Sequence, residues 1–150
     1  MNKEEKNTAS SRRSYEPLVS IIIPIYNGEK FILETIDSVK KQTYSNWELL
    51  IIDNCSNDNT FELISLHQSS KIRVFKTELN SGGPAVPRNI GIKKANGEYI
   101  AFLDADDIWE NNKLEVQIGF IQQNDFICCL ASSINEKGKI IKKGKLENNK

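Results

Sequence analysis

The stretch "VSIIIPIYNGEKFILETIDSVKKQTYSNWELLIID", residues 19–53, decides the fold, because it has the pattern of a strand, a helix and a second strand. Its first apolar run, residues 19–23, is short, continuous and rich in isoleucine, which is typical of a strand covered on both faces. Pro24 is expected to end that strand. Apolar residues at helical spacing then predict a helix over residues 29–42, and residues 47–53 predict the next strand.

The rest of the chain continues the same alternation. Further patterns predict strands over residues 71–77, 98–104 and 126–132. They also predict three helices, one that begins near residue 58, one over residues 87–95 and one over residues 112–122. A hairpin that turns at Lys137-Gly138 follows. Strands that alternate with helices favour an α/β fold with a Rossmann-like, mostly parallel sheet that is flanked by helices on both faces.

Length and composition place these elements in one domain. The chain has 150 residues, which is enough for a domain with a core, and its 20 basic residues balance its 20 acidic residues. That balance argues against nucleic acid as a partner. Residues 1–17 are expected to be a disordered leader, residues 18–143 the folded domain, and residues 144–150 a polar tail.

The chain is expected to act in the cytoplasm. Residues 1–17 contain no apolar segment of the kind found in a secretory signal, and no apolar run is long enough to span a bilayer. Lysines scattered between residues 137 and 145 leave peripheral association with the inner face of the membrane open. Self-association into a homo-oligomer is left open as well.

Residues suited to ligand binding follow each of the first four predicted strands. They are Tyr26 and Asn27 after the first, Asp53 and Asn54 after the second, Gly82, Gly83 and Arg88 after the third, and Asp104, Asp106 and Asp107 after the fourth. Right-handed crossovers place the carboxyl ends of parallel strands at one edge of the sheet, and ligands bind along that edge. We therefore expect one binding site there.

The acidic segment "FLDADDIW", residues 102–109, points to a cation at that edge. Its three carboxylates lie within four positions, and like charges so close repel by about 1–3 kcal/mol per pair. Oxygen ligands of this kind suit Mg²⁺ or Mn²⁺, which keeps coordination positions for phosphate oxygens. A solvated loop, or an acidic first turn of a helix, is the alternative.

The other side chains at this edge suit the remaining parts of a nucleotide. Arg88 supplies a positive charge for a phosphate, and Tyr26 supplies a flat face for a base. Asp53 or Asn54 supplies an acceptor for an N–H or O–H group of a base or sugar. Together with the acidic segment, these residues indicate a site for a metal-bound nucleoside diphosphate.

Three segments carry a resemblance to a known family, namely "VSIIIPIYNGEKFILETIDSVKKQTYSNWELLIIDNCSNDNT", "GGPAVPRNIGI" and "NGEYIAFLDADDIW". Over residues 19–114 the chain resembles the family 2 glycosyltransferases with the GT-A fold. The resemblance implies a nucleotide-sugar donor, usually a UDP-sugar, with a divalent metal on its diphosphate. It also implies inverting transfer of the sugar to a hydroxyl of a sugar or lipid-linked acceptor, in polysaccharide or glycoconjugate biosynthesis.

The same resemblance implies a role for each site residue. Pro24 and Tyr26 would line the base pocket, Asp53 and Asn54 would bind the base, and Arg88 would lie near the nucleotide. Asp104 and Asp106 would form the Asp-x-Asp pair that contacts the ribose and the metal.

The chain departs from the family pattern in three ways. The family commonly has aspartate where this chain has Asn54, and a small residue where it has Pro87. The acceptor-binding half with its catalytic base is expected to be missing, because the only acids after residue 132 are Glu136 and Glu147, in hairpin and tail contexts. The sequence therefore assigns no catalytic residue. A truncated or degenerate nucleotide-binding module without transferase activity is the alternative function.

Overall fold

A computed structural model of the protein describes residues 15–121, 124–135 and 137–143. Strands and helices alternate through most of this range. The elements are β1 (Val19–Ile25), α1 (Ile32–Lys40), β2 (Trp47–Asp53), α2 (Thr60–Ser65), β3 (Ile72–Lys76), α3 (Ala85–Lys94), β4 (Tyr99–Phe102), α4 (Lys113–Ile121), β5 (Ser133–Ile134) and β6 (Ile140–Lys142). None of the described helices combines the length and the apolar composition that a bilayer crossing requires.

Four parallel strands form the main sheet in the order β3-β2-β1-β4. The two faces of β1 meet different helices. Ile21 belongs to the core cluster that contains Ile36 of α1, whereas Ile22 lies directly beneath Gly91 of α3. The predicted α/β fold, with a mostly parallel sheet and helices on both faces, is therefore confirmed.

The register aligns the ends of the two central strands. Val19 is paired with Trp47 at one end of the ladder, and Ile25 with Asp53 at the other. Both strands are buried along their whole length, which is why their apolar runs are continuous and do not alternate. The residues that follow β1 and β2 consequently emerge side by side at one edge of the sheet.

The prediction that Pro24 ends the first strand is wrong, since β1 continues to Ile25. In β1 the main-chain N–H and C=O groups of successive residues point alternately towards β4 and towards β2. The Ile22 carbonyl accepts the Leu103 N–H on the β4 side, and the Ile25 carbonyl accepts the Asn54 N–H on the β2 side. Pro24 therefore turns towards β4, which has already ended at this level. Its missing N–H costs the sheet no hydrogen bond.

The strand predicted over residues 126–132 is also wrong, because this segment is irregular in the structure. Phe126 and Leu130 are exposed, so the apolar run has no surface against which to pack. The predicted hairpin is confirmed, since β5 and β6 pair in an antiparallel manner around Lys137-Gly138. Gly138 has a positive φ of 72°, which glycine adopts without strain.

The last residues of the expected leader contact the domain. Pro17 is buried, and its carbonyl accepts a hydrogen bond from the Tyr44 hydroxyl at 2.5 Å. The carbonyl of Glu16 accepts another from the Asn46 amide at 2.7 Å. Residues 15–17 therefore lie against the domain, while residues 1–14 of the expected leader and the expected tail lie outside the described residues.

Gly97, between α3 and β4, is packed against the main chain of β1. A Cβ atom there would lie 2.6 Å from the Ser20 nitrogen and 2.7 Å from the Leu18 oxygen, whereas a Cβ atom at Gly119 in α4 would meet nothing within 4 Å. We expect Gly97→Ala to lower the free energy of unfolding by about 2–3 kcal/mol, because main-chain atoms cannot rotate away. Gly119→Ala is expected to raise it by up to about 1 kcal/mol through helix propensity. Urea denaturation of both variants measures the difference, and equal effects would contradict the packing argument.

Candidate functional site

A cavity of about 350 Å³ lies at the carboxyl edge of the sheet. Three consecutive strand ends and the start of α3 form its walls. The lining residues are Pro24 and Ile25 in β1, Tyr26 directly after β1, Asn54 after β2, Asn80, Gly82, Gly83 and Pro84 after β3, and Pro87 in α3. Apolar walls with a few amide and main-chain groups are typical of a pocket for a small organic ligand.

Three of the predicted nucleotide-binding residues meet in this cavity. Pro24, Tyr26 and Asn54 come from the ends of two neighbouring strands and share its lining. Tyr26 is 48% exposed while it lines the cavity, so it is accessible to a ligand. An aromatic ring in this position can stack on a planar group that enters the cavity.

Asp53 is placed differently from Asn54. Its side chain is fully buried, and its two carboxylate oxygens accept the Ser56 N–H at 3.3 and 3.2 Å. The Lys76 Nζ lies 3.8 Å away. These contacts stabilise the turn after β2, and Asp53 does not line the cavity. Direct contact of Asp53 with a base stays a prediction.

The connection after β1 is fastened to the connection after β2. The Asn27 N–H donates to the Ser56 hydroxyl at 2.9 Å, and the Asn57 N–H donates to Asn27 Oδ1 at 3.0 Å. The Gly28 N–H donates to the Thr60 hydroxyl at 2.8 Å. Asn27 itself adopts a positive φ of 50°, which asparagine tolerates better than most residues. These bonds fix the position of the main chain next to Tyr26, which precedes Asn27.

Sequence reasoning placed Gly82 and Gly83 at this edge of the sheet but missed Asn80. The structure places all three in the cavity wall. Gly82 has a positive φ of 77°, and its N–H donates to Asn80 Oδ1 at 2.7 Å. The Asn-x-Gly-Gly pattern was the available signal, because an asparagine side chain often accepts the N–H two residues later.

Arg88, which follows Pro87 of the cavity wall, forms an ion pair with Asp104. One terminal nitrogen of Arg88 lies 2.5 Å from Asp104 Oδ1, and the guanidinium carbon lies 5.8 Å from the centre of the Phe102 ring. The Arg88 Nε atom is enclosed and has no hydrogen-bond partner among the described residues. The Arg88 side chain is 34% exposed and one of its terminal nitrogens pairs with Asp104, so the exposed part of the guanidinium retains donor capacity for a bound anion.

The acidic segment after β4 concentrates negative charge. Asp104, Asp106 and Asp107 are all exposed to solvent. The pKa of Asp107 is raised above its ordinary value, first by burial of part of its carboxyl group and then by the charges of Asp106 and Asp104. A cation placed among these carboxylates would remove this repulsion.

A divalent metal fits this segment only with ligands from outside it. Among the described residues, no group of three or more acidic, histidine or cysteine side chains is arranged to hold a metal ion. Mg²⁺ and Mn²⁺ are commonly bound through one or two carboxylates together with phosphate oxygens and water. Asp104 is engaged by Arg88, whereas Asp106 has no ion-pair partner in the part of the chain that the structure describes. Asp106 is thus the freer ligand.

Sequence comparison relates the chain to sugar transferases. Residues 20–149 match the family described as "Glycosyl transferase family 2". An uncharacterized glycosyltransferase of Rickettsia felis is 46% identical over 138 residues, which are 90% of this chain and 23% of that protein. WfgD of Escherichia coli, named a UDP-Glc:alpha-D-GlcNAc-diphosphoundecaprenol beta-1,3-glucosyltransferase, is 49% identical over 108 residues, or 72% of this chain and 42% of WfgD. The chain thus spans less than half the length of these relatives.

Solved structures share the fold. TarS of Staphylococcus aureus in complex with UDP has a TM-score of 0.67 and 35% identity, over 71% of this chain and 32% of that chain. TarS in complex with UDP-GlcNAc matches equally well. A mannosyltransferase of Pyrobaculum calidifontis, solved with GDP-Man and Mn²⁺, has a TM-score of 0.68 at 24% identity, over 74% of this chain and 34% of that chain. The expected GT-A-like fold is confirmed by these likenesses.

Proposed function

Because this chain belongs to glycosyl transferase family 2, we propose that it forms the donor-binding part of a glycosyltransferase. It binds a nucleoside diphosphate sugar, in particular a UDP-sugar, and supports inverting transfer of the sugar to an acceptor hydroxyl. One observation carries the proposal. The cavity wall includes Pro87, the next residue is Arg88, and Arg88 pairs with Asp104 of the acidic segment, which supports neighbouring sites for the three parts of a metal-bound nucleotide.

The cavity suits the nucleoside. Its volume of about 350 Å³ lies at the lower end of the range of small-molecule pockets, roughly 300–1,000 Å³. Tyr26 offers a face on which a base can stack, and the prolines at positions 24 and 87 exclude water. Complexes of the similar protein TarS with UDP and UDP-GlcNAc support uracil as the base.

The diphosphate lies, in this proposal, between Arg88 and the acidic segment. The Arg88 guanidinium donates hydrogen bonds to phosphate oxygens, and Asp104 accepts one from a ribose hydroxyl or shares the metal. Asp106 holds Mg²⁺ or Mn²⁺. The metal, when bound, stabilises the negative charge that develops on the departing diphosphate.

The acceptor is a sugar or a lipid-linked sugar. The name of WfgD, which includes a diphosphoundecaprenol-linked acceptor, supports the second kind. An acceptor of that kind would bring the chain to the inner face of a membrane. A base deprotonates the acceptor hydroxyl as it attacks the anomeric carbon, and we assign no residue to that role. Self-association stays a prediction.

A nucleotide-binding module without transferase activity is the second candidate. It is favoured by the composition of the cavity wall, which contains no carboxylate and no histidine among the described residues. Detection of sugar transfer, or of slow hydrolysis of a UDP-sugar, would exclude this second function. Binding of UDP without either reaction would support it.

Calorimetric titration of UDP into the chain tests the proposal. We expect binding in the presence of Mn²⁺, and binding weaker by about tenfold or more in EDTA, because Asp106 would hold the metal and the metal would offset the negative charge of the diphosphate. GDP and CDP serve as controls for the base. Absence of binding of all three nucleotides to a folded sample with Mn²⁺ would refute the proposed donor site.

A further inference from the structure

Asn54, at the end of β2, is bonded to the loop after β3 through both ends of its side-chain amide. The side chain is buried, with 3% of the residue exposed. Its Oδ1 accepts the Ser81 N–H at 3.1 Å and the Ser81 hydroxyl at 3.0 Å. Its Nδ2 donates to Asn80 Oδ1 at 3.3 Å and to the Gly83 carbonyl at 3.4 Å.

Main-chain partners fix the orientation of this amide. The Ser81 N–H can only donate a hydrogen bond, and the Gly83 carbonyl can only accept one. The oxygen of Asn54 must therefore face Ser81, and its nitrogen must face Gly83. The site requires one acceptor and one donor on the same side chain, which asparagine supplies and aspartate does not.

The loop that Asn54 holds is one wall of the cavity. Asn80, Gly82 and Gly83 all line it. Asn80 uses its Oδ1 twice, because this atom accepts both the Gly82 N–H and the Asn54 Nδ2. Asn54 thus acts on the cavity mainly through the position of this wall, with its own oxygen already occupied by Ser81.

We infer that Asn54 is a positioning residue of the donor site, and that its amide nitrogen keeps the wall formed by residues 80–83 closed against the nucleotide. The inference rests on the proposed donor site. It assigns to Asn54 a role different from direct hydrogen bonding to the base. An isosteric carboxylate at this position should therefore open the wall.

An aspartate at position 54 would meet acceptor atoms that no rotation of the neighbouring side chains can remove. In Asn54→Asp, one carboxylate oxygen would face Asn80 Oδ1 and the Gly83 carbonyl, which are both acceptors. A flip of the Asn80 amide would remove the first conflict but would turn its NH₂ group towards the Gly82 N–H, donor against donor. The Gly83 carbonyl belongs to the main chain and cannot flip. A buried acceptor without a donor is costly.

The test compares Asn54→Asp with Asn57→Asp. Asn57 lies in the same connection, is exposed, and its side chain makes no hydrogen bond within the described ranges, so it controls for the added charge. We expect Asn54→Asp to weaken UDP binding with Mn²⁺ by about tenfold or more. Asn57→Asp should remain within about twofold of wild type. Direct contact of Asn54 Oδ1 with the base predicts the opposite, because a carboxylate is the stronger acceptor, and equal or tighter UDP binding by Asn54→Asp would overturn the inference.

A second measurement does not depend on the nucleotide. Amide hydrogen exchange of residues 80–83 in the ligand-free protein should accelerate in Asn54→Asp, and by a larger factor than the exchange of the strands. Asn57→Asp should show wild-type exchange. Wild-type exchange of residues 80–83 in Asn54→Asp would overturn the inference. If wild type binds no nucleotide, the donor site fails while accelerated exchange still supports the role of Asn54 in the wall.

Discussion

Asp106→Asn is expected to weaken the binding of UDP in the presence of Mn²⁺ by about a hundredfold, which corresponds to about 2.7 kcal/mol. The physical reason is the loss of the one acid in the segment after β4 that neither Arg88 nor burial engages. Asparagine keeps the size of the side chain and removes the negative charge that a hard cation requires. In EDTA the variant and the wild type should bind UDP equally weakly, and this titration is the measurement that checks the assignment.

Two further variants locate the metal within the acidic segment. Asp37 is an exposed carboxylate on α1 with no hydrogen bond in the described part of the chain, so Asp37→Asn should leave UDP binding within about twofold of wild type. Asp104→Asn breaks the 2.5 Å pair with Arg88 and should weaken UDP binding both with and without Mn²⁺. Metal dependence retained in Asp106→Asn would refute its role as the principal ligand.

Glu48→Gln is expected to lower the free energy of unfolding by about 3 kcal/mol at pH 7. The Glu48 carboxylate lies on β2 at the edge of the sheet opposite the cavity. Its Oε1 accepts the Ser20 hydroxyl and the Asn96 N–H, both at 2.6 Å. Its Oε2 lies 2.9 Å from a terminal nitrogen of Arg73. A glutamine would present an NH₂ group to donors that need an acceptor.

The effect of Glu48→Gln should depend on pH in a defined direction. Burial raises the pKa of Glu48, but the hydrogen bonds from Ser20 and Asn96 and the charge of Arg73 outweigh it, so the pKa is lowered from 4.5. A lowered pKa means that the ionised group stabilises the fold above pH 4.5, and that this contribution is lost as pH falls through the folded-state pKa. The two proteins should therefore converge in stability at acidic pH.

Urea denaturation at pH 7 and at pH 3 measures both effects. Glu62→Gln is the control, because Glu62 is exposed on α2 and has no hydrogen-bond or ion-pair partner in the region that the structure covers. Its free energy of unfolding should stay within about 0.5 kcal/mol of wild type at both pH values. A constant difference between Glu48→Gln and wild type across this pH range would contradict the ionised state of the buried carboxylate.

The fold was predictable where burial alone determines the pattern. Residues 47–53 form β2 with the predicted bounds, because a strand covered on both faces needs an unbroken apolar run. The end of β1 was not predictable, since the tolerance of Pro24 depends on where β4 stops. The apolar run at residues 126–132 predicted a strand. Such a run forms a strand only when another strand pairs with it, and the sequence of the run does not show whether a partner is available.

The location of the candidate site at the carboxyl edge of the sheet was predictable, whereas its individual contacts were not. Pro24, Tyr26 and Asn54 could be placed together from the parallel order of the strands. The pairing of Arg88 with Asp104 could not, because it depends on how α3 lies across the sheet. Asn80 was missed because its role arises from a partner that lies 26 positions away in the sequence.

The cavity draws its walls from the connections after β1, β2 and β3, and this has a consequence for assembly. No single stretch of the chain contains the whole cavity wall, so a nucleotide, if it binds as proposed, can bind only after the three strands have taken their final order. Bound nucleotide would then stabilise the folded state, because it contacts all three connections at once. At a ligand concentration one hundred times the Kd, it should add about 2.7 kcal/mol to the free energy of unfolding. A rise in the melting temperature on addition of the nucleotide would therefore show that the three strands have reached their final order.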